Sequence, residues 1–249
     1  MADDLYYRAD LALVHHLGFG FHAERCAPGI LDLLRPVRDR GGLVVELGCG
    51  SGLLTKPLVD AGHRVVATDA SPAMLDLARA HAPGAEDVRR LVLPDDPIPA
   101  ADAIVSIGHV LSYLPDEAAI DRALVAAARA LRPGGILAVD LCDLAWGEDR
   151  QDAPNHSQVT DDWAIVTRFP ASPPDRFARD MTVFVRTDDG SWRRSDEHHD
   201  NVLVETARVP ALLAEHGVDA TVGDAFGPGE DQALPTGLRT IVGRRATAG

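Results

Sequence analysis

A doubly wound α/β fold, with a mostly parallel sheet and a small inserted antiparallel β-sheet, is predicted by three observations. From about residue 43 to residue 141, short apolar runs alternate with helical stretches. That alternation is the pattern of a parallel sheet covered on both faces. One of those runs feeds a glycine-rich turn, Gly48 to Gly52, that opens a helix. Beyond residue 160, three β-rich stretches follow one another without helices between them, as in an antiparallel unit.

The elements follow in order. Leu11–His16 and His22–Leu34 have helical character, and Leu43–Leu47 is a buried strand after Gly41-Gly42. Leu53–Ala61 is helical and Arg64–Thr68 is the second strand. Ser71 is an N-cap and Pro72 the first residue of the next helix. Asp102–Ile107 is a strand, Glu117–Leu131 an alanine-rich helix, and Ile136–Leu141 the fifth strand. Asp162–Phe169, Phe177–Thr187 and Ser191–Glu205 form the antiparallel unit, with Asp188-Asp189-Gly190 as a hairpin turn. Val209–His216 is a helix, and Ala220–Phe226 and Thr240–Arg244 close the sheet. The whole is expected to be one domain over residues 1–249, with residues 146–205 inserted as a roof and residues 1–40 as a helical cap.

Composition narrows the function. The net charge is -14, which repels a phosphate backbone and argues against nucleic acid as a partner. One lysine, Lys56, is present, a poor basis for Schiff-base chemistry. Cys26, Cys49 and Cys142 are odd in number and far apart, so no disulfide framework or cysteine-rich zinc site is expected, as in a reducing cytoplasm. The acidic first ten residues do not make a signal peptide. No apolar run approaches the roughly 20 residues of a membrane span.

The sharpest signal is Val44-Val45-Glu46-Leu47-Gly48-Cys49-Gly50-Ser51-Gly52. Glycines there permit positive φ and let a ligand approach the backbone, at the strand end where open α/β sheets bind ligands. A dinucleotide loop would need its third glycine at position 53, which is Leu53, and no phosphate-cradling GK[ST] follows. Asp69, ending the second strand, can accept hydrogen bonds from both hydroxyls of a ribose. It lies at a strand end and not in the core, so its loss is expected to spare the fold.

The segments Glu46 to Gly52, Thr68 to Leu75 and Leu131-Arg132-Pro133-Gly134-Gly135 resemble successive motifs of the class I S-adenosylmethionine-dependent methyltransferases, which have a Rossmann-like fold. The resemblance implies S-adenosylmethionine as cofactor. It places Glu46, Gly48, Cys49, Gly50 and Gly52 at the methionine moiety, Asp69 on the ribose, and Ala70, Leu91 and Val92 beside adenine. The backbone from Ser106 through Ile107 to Gly108 would face the cofactor's amino group. The [DN]PP[YF] run of amino-methylases and the paired-glutamate loop of arginine methylases are missing from this chain. What remains is similar to small-molecule N- and O-methyltransferases, whose pocket is roofed by an inserted antiparallel sheet. An N-terminal helix in such families often lends a tyrosine, which makes Tyr7 a candidate for substrate binding.

Methyl transfer from a sulfonium needs alignment and exclusion of water, and a base only when the nucleophile arrives protonated. His109, just past the fourth strand, is the first candidate base and a candidate substrate contact. If its pKa is unperturbed, the rate should rise with pH near about 6.5. The run Asp196-Glu197-His198-His199-Asp200 is the second place. Alternation puts Glu197 and His199 on one face as further catalytic candidates, and His198 on the other as a substrate contact. Trp146 is a candidate pocket wall. No metal is expected, since adjacent strand residues point apart and no HxxxH exists. Asp140 and Asp143 suit turn and cap roles. The rival readings are a nicotinamide oxidoreductase, a cofactor-binding protein without turnover, and a fold recruited to another reaction.

Overall fold

The computed structural model describes residues 6–148 and 154–247. The first five residues of the expected cap, and residues 149–153 of the expected insertion, lie outside the described residues.

Seven strands form the main sheet: β1 (Leu43–Leu47), β2 (Arg64–Asp69), β3 (Asp87–Arg90), β4 (Ala101–Ser106), β5 (Leu131–Cys142), β10 (Val218–Gly223) and β11 (Leu238–Arg245). Their order is β10-β11-β5-β4-β1-β2-β3. The five consecutive strands β1 to β5 pair in parallel, and β11 is antiparallel to both β5 and β10. The chain leaves β1 toward β2 on one side and returns as β4 on the other. That reversal opens a crevice at the carboxyl ends of β1 and β4, where such sheets bind ligands.

Helices cover both faces. On one, α5 (Glu117–Ala130) and α7 (Val209–Ala214) pack Ile120, Leu124 and Leu213 against Ile104, Leu137 and Ile241. On the other, α2 (Phe21–Asp39) and α3 (Thr55–Asp60) pack Ile30, Leu34 and Leu58 against Val44, Val65 and Ile136. The helix α4 (Pro72–His81) starts as its sequence requires: Met74 N donates to Ser71 Oγ at 3.2 Å, and Pro72 fills the first turn. The fifth strand begins earlier than expected. It runs from Leu131 through Arg132-Pro133-Gly134-Gly135, with a register shift against β4 between Ala101 and Ala103.

The short helix α6 (Leu144–Glu148) leads to a second, antiparallel sheet. It has four strands, where three were expected: β6 (His156–Val159), β7 (Trp163–Arg168), β8 (Arg176–Arg186) and β9 (Trp192–Val202). The extra edge strand, β6, is four residues long and mostly exposed. Alternation on β8 and β9 decides what this sheet presents. Phe177, Met181, Val183 and Val185 are buried. The last three pack with Trp163 and Ile165 onto Leu11 and Val14 of α1 (Ala9–Gly18). Helix α1 thus lies between the second sheet and the carboxyl edge of the first.

Candidate active site

A cavity of about 410 Å³ opens at the carboxyl edge of β1, β2 and β4. Its floor is the glycine loop. Gly48 has φ +66°, and a Cβ there would lie 2.4 Å from the methyl carbons of Val110. The next glycine, Gly50, has φ +54° and only Met74 Sδ within 4 Å of such a Cβ, at 3.9 Å. The first position is therefore closed by packing and the second is open. Gly48→Ala is expected to cost roughly 2–4 kcal/mol, from a left-handed backbone and overpacking together. Urea unfolding monitored by circular dichroism would show it, and an unchanged midpoint would contradict the tight contact with Val110.

Glu46, Gly48, Cys49, Gly50, Asp69, Ala70, Leu91, Val92 and Ile107 all line this cavity. Gly52 and Ser106 are not among the residues that line it. A Cβ on Gly52 would sit 3.3 Å from Ala78 Cα, so this glycine permits the approach of α4. The hydroxyl of Ser106 is buried and donates to Leu47 O at 2.9 Å, tying β4 to β1. Asp69 accepts Gly50 N–H and Ser71 N–H, each at 2.8 Å, and so organises the loop it faces. Glu46 is almost fully enclosed, and burial pushes its carboxyl up to about 8, against a 2.7 Å hydrogen bond from Thr55 Oγ1. Burial thus favours its protonated form, and a cation beside it would favour the ionised form.

The far end of the cavity is aromatic. Tyr6, Tyr7, His15, Phe19, His22 and Tyr113 line it. Tyr7 and Tyr113 Oη are 3.0 Å apart. Burial pushes His15 down to about 4, so its imidazole is neutral across the neutral range. His22, which the spacing of the sequence did not single out, donates from Nε2 to Asp140 Oδ2 at 2.8 Å. Asp140 is fully buried at the end of β5 and also accepts Gly108 N–H and His109 N–H. It thus fixes the loop after β4 and the ring of His22 together, the turn role expected of it. His22, Cys26 and Asp140 bring one potential metal ligand atom each within 4.8 Å of one another. Burial pushes the Cys26 thiol well up, and Asp140 is already met by three donors. The arrangement therefore suits hydrogen bonding rather than a metal centre.

Five other expected residues are placed differently. His109 adopts a left-handed conformation, φ +49°, between the lining residues Gly108 and Val110, but does not itself line the cavity. Its ring stacks on Tyr113, its Nδ1 has no partner among the described residues, and burial holds it well below the usual histidine range. A pH limb due to His109 would then lie below the roughly 6.5 of an unperturbed imidazole. Glu197 and His199 share a buried face but stand behind the tyrosines. His199 is enclosed by the rings of Tyr6, Tyr7 and Tyr113, and its Nε2 donates to Glu197 Oε2 at 3.0 Å. The same carboxylate accepts Tyr7 N–H and Arg8 N–H, which fixes the N-terminal segment. His198 points the other way, exposed and paired with Asp180, because its strand alternates. Trp146 is buried against Phe177 and His109 and does not reach the cavity wall.

A parallel sheet with this strand order, a glycine turn after β1 and an acid ending β2 define a nucleoside-binding α/β protein. The comparisons with known proteins make the class specific. A methyltransferase domain model matches residues 44–135. A Geobacillus protein named as a methyltransferase is 27% identical over 183 residues, covering 70% of this chain and 72% of that protein. The trans-aconitate 2-methyltransferase of Escherichia coli is 34% identical over 125 residues, covering 49% of this chain and 48% of that enzyme. The chain thus spans about half the length of that second relative. The sugar N-methyltransferase KedS8 from Streptoalloteichus has the same fold, with a TM-score of 0.78 and 20% identity, covering 96% of this chain and 94% of that one. Residues 44–135 and the overall fold are thus similar to those of S-adenosylmethionine-dependent methyltransferases. No helix among the described residues is long and apolar enough to cross a membrane.

Proposed function

We propose that this protein transfers the methyl group of S-adenosylmethionine to an O or N atom of a small molecule. One observation carries the reading: a cavity joins the glycine loop and Asp69 to the aromatic residues Tyr7, His22 and Tyr113, with no Lys or Arg among its described lining residues. A wall that carries Glu46 and Asp69 suits a cofactor with an ammonium and a sulfonium. The relatives' names, a trans-aconitate methyltransferase and a sugar N-methyltransferase, support a small acceptor.

In this reading Gly48, Cys49, Gly50 and Ile107 hold the methionine end, Asp69 the ribose, and Ala70, Leu91 and Val92 the adenine, while Glu46 meets the positive charge. Gly52 and Ser106 support the loop from behind. When bound, the sulfonium supplies the methyl group for in-line displacement. Tyr7 and Tyr113 position the acceptor, with Glu197 and His199 holding Tyr7 and Tyr113 in place. Where the acceptor arrives protonated, His22 takes the proton. Its Nε2–H is committed to Asp140, which leaves Nδ1 as the basic nitrogen, the arrangement of a carboxylate-oriented imidazole. Residues 1–249 act as one domain, with residues 1–40 as cap and residues 146–205 as roof, and a cytoplasmic location accords with three buried free cysteines.

Titration calorimetry tests the cofactor side. S-adenosylmethionine and S-adenosylhomocysteine should both bind, and NAD should not. NAD binding without affinity for either sulfur ligand would overturn the assignment. Release of S-adenosylhomocysteine on adding candidate acceptors then separates an enzyme from a binding protein without turnover.

A further inference from the structure

The inward row of β8 reads Phe177, Arg179, Met181, Val183 and Val185, so one guanidinium stands in an otherwise apolar series. Arg179 is always charged. Its Nη2 donates to Tyr113 Oη at 2.5 Å and to Asn201 Oδ1 at 3.1 Å, while its buried Nε has no hydrogen-bond partner among the described residues. Among the described residues no carboxylate is hydrogen-bonded to it. On the facing strand, Glu197 spends its oxygens on Tyr7 N–H, Arg8 N–H and His199. Removing a charge from water costs several kcal/mol, and among the described residues its hydrogen-bond partners are a hydroxyl and an amide oxygen, with no anion.

The hydrogen bonds around this charge have a direction. Arg179 donates to Tyr113, which leaves the Tyr113 hydroxyl proton two acceptors, Tyr7 Oη at 3.0 Å and His199 Nδ1 at 3.4 Å, and we take the shorter contact as its acceptor. With that direction the Tyr7 hydroxyl accepts from Tyr113 and keeps its own proton to offer a ligand in the cavity that Tyr7 lines. A chain of donors backed by a cation strengthens its terminal donor. We propose that the methyl acceptor carries an anionic oxygen, from a carboxylate or a phosphate, which the Tyr7 hydroxyl binds and the Arg179 charge neutralises through Tyr113. The inference rests on the methyltransferase reading of the cavity, and it selects acidic acceptors although the chain as a whole is acidic.

The test uses thermal melts of the whole protein, with and without S-adenosylhomocysteine, at ionic strength held constant with chloride. Citrate and inorganic phosphate are the probes, and Arg179→Met, Arg179→Lys and Tyr7→Phe the variants; Arg179→Gln replaces the methionine variant if that one does not fold. One or both anions should raise the melting temperature of wild type. The more effective anion tells a carboxylate from a phosphate. Arg179→Met and Tyr7→Phe should lose at least about tenfold in apparent anion affinity, the factor for one charge-assisted hydrogen bond. Arg179→Lys should retain part of the response, and S-adenosylhomocysteine should stabilise all four proteins alike. Equal anion responses in wild type and Arg179→Met, or none in either, overturn the proposal. So does a loss of S-adenosylhomocysteine affinity in Arg179→Met, which would give the charge to the cofactor's own carboxylate. If S-adenosylhomocysteine stabilises no protein at all, the cofactor reading falls, and the melts without it still decide the anion site.

Discussion

Replacing His22 by alanine is expected to slow methyl transfer to a protonated acceptor, at saturating substrate, by roughly 10²–10⁴-fold. S-adenosylhomocysteine affinity should stay nearly unchanged, because the proton transfer is used only in the transition state. The prediction rests on place and on orientation: His22 lines the cavity, and Asp140 fixes its tautomer at 2.8 Å. Asp140→Asn is a less clean probe, since it also disturbs the acceptor for Gly108 N–H and His109 N–H. The pH profile adds a second readout. A histidine base gives a rate that rises with pH as the imidazole loses its proton. Burial holds His109 well below the ordinary histidine value, so a limb due to His109 would lie on the acid side of about 6.5. Loss of the wild-type limb in His22→Ala supports His22 as the base. An unaltered limb in His22→Ala that vanishes in His109→Ala assigns the proton to His109 instead.

How much of this was legible in the sequence depends on whether the signal is local. The glycine turn, the N-cap at Ser71 and the strand-ending Asp69 are local, because each element's chemistry sits within a few residues of it. Helix α2 was legible as far as Leu34 in spite of Pro28, but its continuation past Pro36 to Asp39 was not. The edge strand β6 was not: His156-Ser157-Gln158-Val159 is short and polar, and pairing with β7 alone makes it a strand. His22 was silent for a different reason. Its partner Asp140 is 118 residues away, and only the crossing of α2 over the end of β5 unites them. The face of Glu197 and His199 followed from alternation, but what that face meets did not. The N-terminal segment of Tyr6 and Tyr7 comes between them and the cavity, a tertiary fact with no local trace. Arg179 did leave a trace, a charge at an inward position of an alternating strand.

Asp69→Ala is expected to weaken S-adenosylhomocysteine binding by about 1.5–3 kcal/mol, the range for hydrogen bonds to a charged group. The expectation that the fold is spared needs amendment, because Asp69 has structural partners as well. Its oxygens accept Gly50 N–H and Ser71 N–H, each at 2.8 Å, and alanine leaves both donors without that acceptor. Some lost affinity would then come from a loosened glycine loop and some from the ribose. A double-mutant cycle separates them. A 2′,3′-dideoxy analogue of S-adenosylhomocysteine should bind wild type more weakly than the parent compound. If Asp69 holds the ribose, the variant should bind the two ligands almost equally, because the hydroxyls have no carboxylate left to meet. If Asp69 acts only by organising the loop, the hydroxyls should keep their full worth in the variant. Calorimetry on four protein–ligand pairs gives the coupling directly. A coupling near zero, or wild-type affinity in Asp69→Ala, would remove the ribose from Asp69 and leave it as the acceptor that holds Gly50 and Ser71 in place.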